Sequence, residues 1–155
     1  MANVHDEMLS AKRVADYFLA QGKEEEGDLV TNLKLQKLLY YAQGCHLALH
    51  DKLLFPEPIE AWNHGPVVPE IYHKYKTYGS AGLPCPSDFD FTKYSNGNTS
   101  FLDEVYSVYG QFSAWKLSQM THEEPPWKEA FASRGVISQD AMKKFFKTQL
   151  VAEEN

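Results

Sequence analysis

Cysteine is scarce in this chain, and nothing in its placement builds a framework. Cys45 and Cys85 are the two cysteines among 155 residues, with no CxxC pair. Two free thiols in a reducing cytoplasm are therefore expected. Long apolar runs are also lacking, all of them far short of the roughly 18 residues of a membrane span. The opening MANVHDEMLS has no basic region leading into an apolar one, so no signal peptide is expected and the chain reads as cytoplasmic, with no membrane partner. Runs of lysine and arginine are missing, and the formal net charge is −6. That balance argues against nucleic acid as a partner, since its binders carry a basic face. No GxSxG turn, glycine-rich phosphate loop or pair of separated carboxylates can be read from the sequence either.

What is present is enough for one folded domain spanning 1–155, with its core over about 10–146. At 43% hydrophobic residues the chain can bury a single core and escape disorder. Ser10 is placed to cap a helix over AKRVADYFLAQ that stops at Gly22, and the acidic GKEEEGD beyond it reads as a solvated loop. Thr31 begins the strongest helix, about 31–50. On it Leu35, Leu38, Leu39, Ala42, Cys45 and Leu49 fall on one face, and Leu33, Tyr40 and Leu47 on the opposite one. Only narrow lanes stay polar, one of them Gln36, Gln43 and His50. A helix apolar on two sides needs neighbours on two sides, so it is expected at the centre of the fold. Gly44 at its middle costs about 1 kcal/mol relative to alanine, which suggests that another backbone passes close by.

Prolines forbid helix over LLFPEPIEAW, leaving a short β element near 58–62. Pro66 and Pro69 bracket Val67–Val68, and Pro69 suits the first turn of a helix over PEIYHKYKTYG that Gly79 closes. Residues 80–99 read as one long loop, mobile or a functional excursion. Helical patterns resume over FLDEVYSVYGQF, over AWKLSQMTH capped by Ser113, as a short turn WKEAFA, and over QDAMKKFFKTQL capped by Ser138 with Met142, Phe145 and Phe146 inward. The fold class predicted is mainly α, a multi-helix domain around a buried central helix.

Candidate chemistry is thin. His46 and His50 share the spacing of a zinc helix, yet no glutamate follows His46 to serve as base. Cys45 and His46 point about 100° apart and cannot pair with each other. The sequence therefore predicts no enzyme, no catalytic residue, no cofactor and no metal. Nine tyrosines and three tryptophans are more than so small a core easily absorbs, and such residues anchor protein interfaces. Tyr72, Tyr75 and Tyr78 stud one helix launched from the rigid GPVVPE turn.

Three blocks, LKLQKLLYYAQGCHLAL, EPIEAWNHGPVVPEIYHKYKTYG and MTHEEPPWKEA, stand in this order and at this spacing. Together they resemble the Panacea antitoxin domain, the SocA-like or phage-associated GepA-type family, from about Ser10 to Phe146. Cys45 departs from it, standing where the family more usually has an aromatic. The resemblance implies a helical, non-enzymatic antitoxin that binds a protein toxin encoded by a neighbouring gene. It also implies, for some members, an adaptor that hands the toxin to a cytoplasmic protease. Toxins vary within the family, so the partner's identity is not implied. Trp62, His64, Tyr72, Tyr75, Tyr78 and Trp127 are the expected partner-binding residues. Gln36, Gly44, Gly65, Pro66, Pro69 and His122 are expected as a structural motif, His122 tying a helix end to the turn that follows. The runner-up reading is a phage or mobile-element transcriptional regulator acting on DNA, directly or through a partner.

Overall fold

A computed structural model describes residues 7–22 and 29–154. They order as α1 (Ala11–Gly22), α2 (Asn32–His50), β1 (Glu60–Trp62), β2 (Gly65–Val67), α3 (Pro69–Tyr75), α4 (Asn96–Tyr109), α5 (Ala114–His122), α6 (Pro125–Ser133) and α7 (Gln139–Glu154). Single 3₁₀ turns follow α3 and precede α4. The architecture is mainly α, with one two-stranded ribbon. His5 and the acidic stretch expected as a solvated loop, 23–28, lie outside the described residues.

Hydroxyl caps set most of the helix starts. Ser10, Thr31, Ser113 and Ser138 each accept a backbone N–H from three residues onward, at 2.9–3.2 Å. Ser95 does the same for Asn98 at 3.1 Å, and so α4 begins at Asn96, ahead of Phe101 and inside the segment read as loop. The rest of that segment is pinned to α1. Tyr94 donates its hydroxyl to the Arg13 carbonyl at 2.7 Å, and the Tyr94 and Phe89 rings pack on Tyr17.

Helix α2 is the centre, as its two apolar faces require, touching α1, α4, α5, α7 and β2. Its polar lane is buried at Gln36 and Gln43 and reaches solvent at His50. Gln36, Lys37 and Gln43 are buried because neighbours surround the helix, and each finds a backbone partner, Lys37 in β2 and the two glutamines in irregular segments. Gln43 accepts from Leu54 N at 2.7 Å and donates to the Phe55 carbonyl at 2.6 Å, locking the proline-rich stretch against the helix. Leu33 and Leu49, assigned to apolar faces, instead stand 37% and 54% exposed near the helix ends, where neighbours run out. Gly44 does make room, but for a side chain and not a backbone: a Cβ there would collide with the ring of Phe146 on α7.

The ribbon explains its prolines. β1 and β2 pair antiparallel with Ala61 opposite Pro66 and Trp62 opposite Gly65, leaving Asn63–His64 as a two-residue loop. Ala61 turns its N–H away from β2, to the Gly135 carbonyl at 3.1 Å. Pro66 thus occupies a position where a strand donates nothing to its partner, and its missing N–H costs no ladder bond. The sequence signal saw these prolines as a turn and missed β2. The outer edge of β1 is closed by residues 135–137, with Ile137 N on the Ile59 carbonyl at 2.7 Å.

Candidate functional site

A hollow of about 890 Å³ opens as a groove between the ribbon, the first turn of α2, α3 and the start of α5. Its back wall is held by a short polar chain. Asn32 Nδ2 donates to the Tyr72 carbonyl at 3.1 Å, and Gln36 Nε2 donates to Asn32 Oδ1 at 2.8 Å. Gln36 Oε1 then accepts from Val68 N at 2.9 Å. One side chain of α2, Gln36, thereby ties down the junction between the ribbon and α3. Pro69 sits at the first turn of α3, as its lack of an N–H allows.

Lys37 closes the floor. It is fully buried, with its amine donating to the Pro66 carbonyl at 3.1 Å, and burial pulls that amine down from its ordinary 10.5 to about 7. Gly65 lies directly above, at φ 119°. A Cβ there would meet the Lys37 stem at 2.7 Å and Thr121 Oγ1 at 2.9 Å. Gly65→Ala is accordingly expected to lower unfolding free energy by about 2 kcal/mol, from backbone strain and the displaced lysine together. Equilibrium urea unfolding checks this, and an unchanged midpoint would contradict it.

The ribbon tip is gripped from α5. Ser118 Oγ donates to the His64 carbonyl at 2.6 Å, and His122 Nε2 lies 2.8 Å from the Asn63 carbonyl. His122 therefore ties α5 back to the ribbon loop and not to the turn that follows it. Below, Trp127 donates its indole N–H to the Trp62 carbonyl at 2.8 Å and stacks on Phe131 at 4.5 Å.

These positions sort the residues expected at a partner surface. Trp62, His64 and Tyr72 line the groove, the first and last meeting edge to face at 5.1 Å. Tyr78 is exposed at 42% but stands outside the lining. Tyr75 and Trp127 are corrections, since both are buried. Tyr75 follows Ile71 by one helical turn, and both point into the core, with Tyr75 burial pushing its hydroxyl up to about 12. Trp127 is a prop beneath the ribbon.

Leu33 and Trp115 form the apolar rim, and neither was singled out from the sequence as a partner contact. Trp115 is 68% exposed, the most exposed of the large apolar residues described. Its position carried a signal: Leu117, Ser118 and Thr121 define the inward face of α5, and residue 115 lies about 200° from 117 on the helix. Lys76 and Arg134 complete the rim. Among the described residues no group of three or more His, Cys, Asp or Glu side chains could hold a metal ion, and no helix is long and apolar enough to cross a membrane.

A family model described as antitoxin SocA-like, Panacea domain, matches residues 35–128, more than half of the chain. Antitoxin SocA of Caulobacter vibrioides (strain NA1000 / CB15N) is 42% identical over 50 residues, which cover 32% of this chain and 27% of that protein. No solved structure matches. The family-matched region holds the ribbon and most of the groove, while Leu33 and Arg134 fall just beyond its two ends.

Proposed function

Since this chain belongs to the SocA-like antitoxin family defined by the Panacea domain, we propose that it neutralises a protein toxin encoded by a neighbouring gene, binding it directly in the groove beside the ribbon. The observation that carries this reading is the pairing of a large open hollow with a mostly exposed tryptophan, Trp115, at its edge. An indole in water has little to do for the isolated chain. At an interface it is the side chain that most often dominates affinity. The groove's floor and walls are cross-tied to α2 and α5, so the surface is already formed before a partner arrives, which lowers the entropy lost on binding. Inhibition by occlusion asks for no chemistry of its own; among the described residues, the groove's lining includes neither a paired set of carboxylates nor a thiol beside an imidazole.

The test is co-expression with the adjacent open reading frame. That product alone should arrest growth, and this chain should restore growth and co-purify with it. Leu33→Asp combined with Trp115→Ala should weaken the complex at least tenfold and abolish rescue while leaving the melting temperature unchanged, because both side chains are exposed. A harmless neighbour, or rescue indifferent to the double variant, would defeat the reading.

A further inference from the structure

The groove differs in charge from the rest of the molecule. The chain has 21 acidic against 15 basic residues, yet among the described residues Lys76, Arg134 and His64 line the groove, with Lys37 buried in its floor, and no aspartate or glutamate does. The one carboxylate close by on β1, Glu60, is occupied by the Trp62 indole N–H at 2.9 Å. Lys76 and Arg134 are both exposed and have no carboxylate partner among the described residues. Arg134 stands at the left-handed end of α6, φ 55°, with its guanidinium over the Phe131 ring at 5.0 Å. That contact orders the head group while its edge, which carries the donors, stays available. The apolar surfaces of Trp62, Tyr72, Trp115, Leu33 and Ala114 line the same groove.

Accepting the groove as the toxin-docking site, we propose that its occupant is an acidic, apolar-centred peptide segment of the partner: a bulky apolar side chain seated among Trp62, Tyr72 and Trp115, flanked by carboxylates paired with Lys76 and Arg134. Charge complementarity selects the flanks and the aromatic walls select the centre. A free phosphate fits less well, because the exposed cations come from two separate segments of the chain and aromatic and aliphatic side chains make up much of the lining. Nucleic acid is disfavoured by the few cations and by the negative field of the whole chain. The net acidity of the chain is thus inverted locally: the protein is acidic, and the described lining of its groove is not.

The experiment selects a random seven-residue display library on the full chain, in parallel with Lys76→Glu/Arg134→Glu and with Trp115→Ala. Wild type should enrich peptides with Asp or Glu within two residues of Phe, Leu or Trp. The charge-reversed variant should lose them and favour Lys or Arg at the same flanks, and Trp115→Ala should lose the apolar centre. A synthetic copy of the leading peptide should bind the charge-reversed chain at least tenfold more weakly, at an unchanged melting temperature, and weaken with added salt. Enrichment of neutral or basic peptides, no enrichment, or equal retention by the variants would overturn the proposal. So would displacement of the peptide by inorganic phosphate or ATP binding as tightly as the peptide itself, which would make this a small-anion site. The selection reads groove chemistry alone. Acidic peptides selected beside a harmless neighbouring gene would leave this inference standing and remove the antitoxin reading, and toxin rescue without acidic selection would do the reverse.

Discussion

Phe146→Ala should lower the free energy of unfolding by about 3–5 kcal/mol, the range for emptying a large aromatic from a core. The ring is fully buried, edge-on to Tyr40 at 5.5 Å and to Tyr41 at 5.8 Å, and it fills the notch that Gly44 leaves in α2. The same contact fixes the sign of a second substitution. Gly44→Ala normally favours a helix by about 1 kcal/mol. Here the new Cβ overlaps the Phe146 ring, so the single variant should destabilise. In the Phe146→Ala background the overlap is gone, and adding Gly44→Ala should become neutral or favourable. Urea unfolding of the two single variants and the double closes the cycle. If Gly44→Ala costs the same in both backgrounds, the notch is not what holds α7 on α2.

The second large effect is on pH. Glu124 precedes α6, and its two carboxylate oxygens accept from the Tyr40 and Tyr41 hydroxyls, each at 2.8 Å. Burial raises this carboxyl from 4.5 to about 7, against the opposing pull of those two hydrogen bonds. Burial likewise holds both tyrosine hydroxyls above their ordinary value, so they remain donors. Between pH 4.5 and 7 the folded chain keeps a proton on Glu124 that the unfolded chain has released, and stability falls as pH rises through that window. The shift corresponds to about 3 kcal/mol. Lys37 acts in the other direction. Its amine is lowered from 10.5 to about 7, so the stability present above pH 10.5 is lost as pH falls towards 7.

Together the two groups place a dip near neutrality in the plot of stability against pH. Glu124→Gln, which keeps a polar partner for the tyrosines, should remove the decline between pH 5 and 7 and leave the variant more stable than wild type at pH 8. Lys37→Met should flatten the rise above 7. Denaturant unfolding at pH 5, 7 and 9 measures both limbs, and a variant-to-wild-type difference that is constant across pH would exclude this assignment.

Much of the helical frame was legible because its signals are local. A hydroxyl before an apolar run marks a cap, and Ser10, Thr31, Ser113 and Ser138 all do so. The centrality of α2 follows from its two apolar faces. What escaped depended on contacts distant in sequence. Nothing near Gln36 or Lys37 announces that Val68 N or the Pro66 carbonyl will meet it, so the burial of these polar side chains is not legible locally. β2 was missed because proline argues against a strand until the pairing shows which positions donate. Of the residues expected at a partner surface, Trp62, His64 and Tyr72 lie in the groove lining. Tyr75 and Trp127 were misplaced, since an aromatic residue looks alike in a core and at an interface. Leu33, Lys76, Trp115 and Arg134 come from four separate segments, and only the folded chain gathers them.

That gathering has an evolutionary corollary. The ribbon is stapled to its surroundings through backbone carbonyls, at Asn63, His64 and Pro66, and none of these bonds uses a side chain that faces the groove opening. The outermost residues, Leu33, Lys76, Trp115 and Arg134, are therefore interchangeable tips on a mount that does not depend on them. Exposed replacements of that kind usually change stability by less than about 0.5 kcal/mol. A lineage could exchange them one at a time and follow a changing adversary without ever rebuilding the interior.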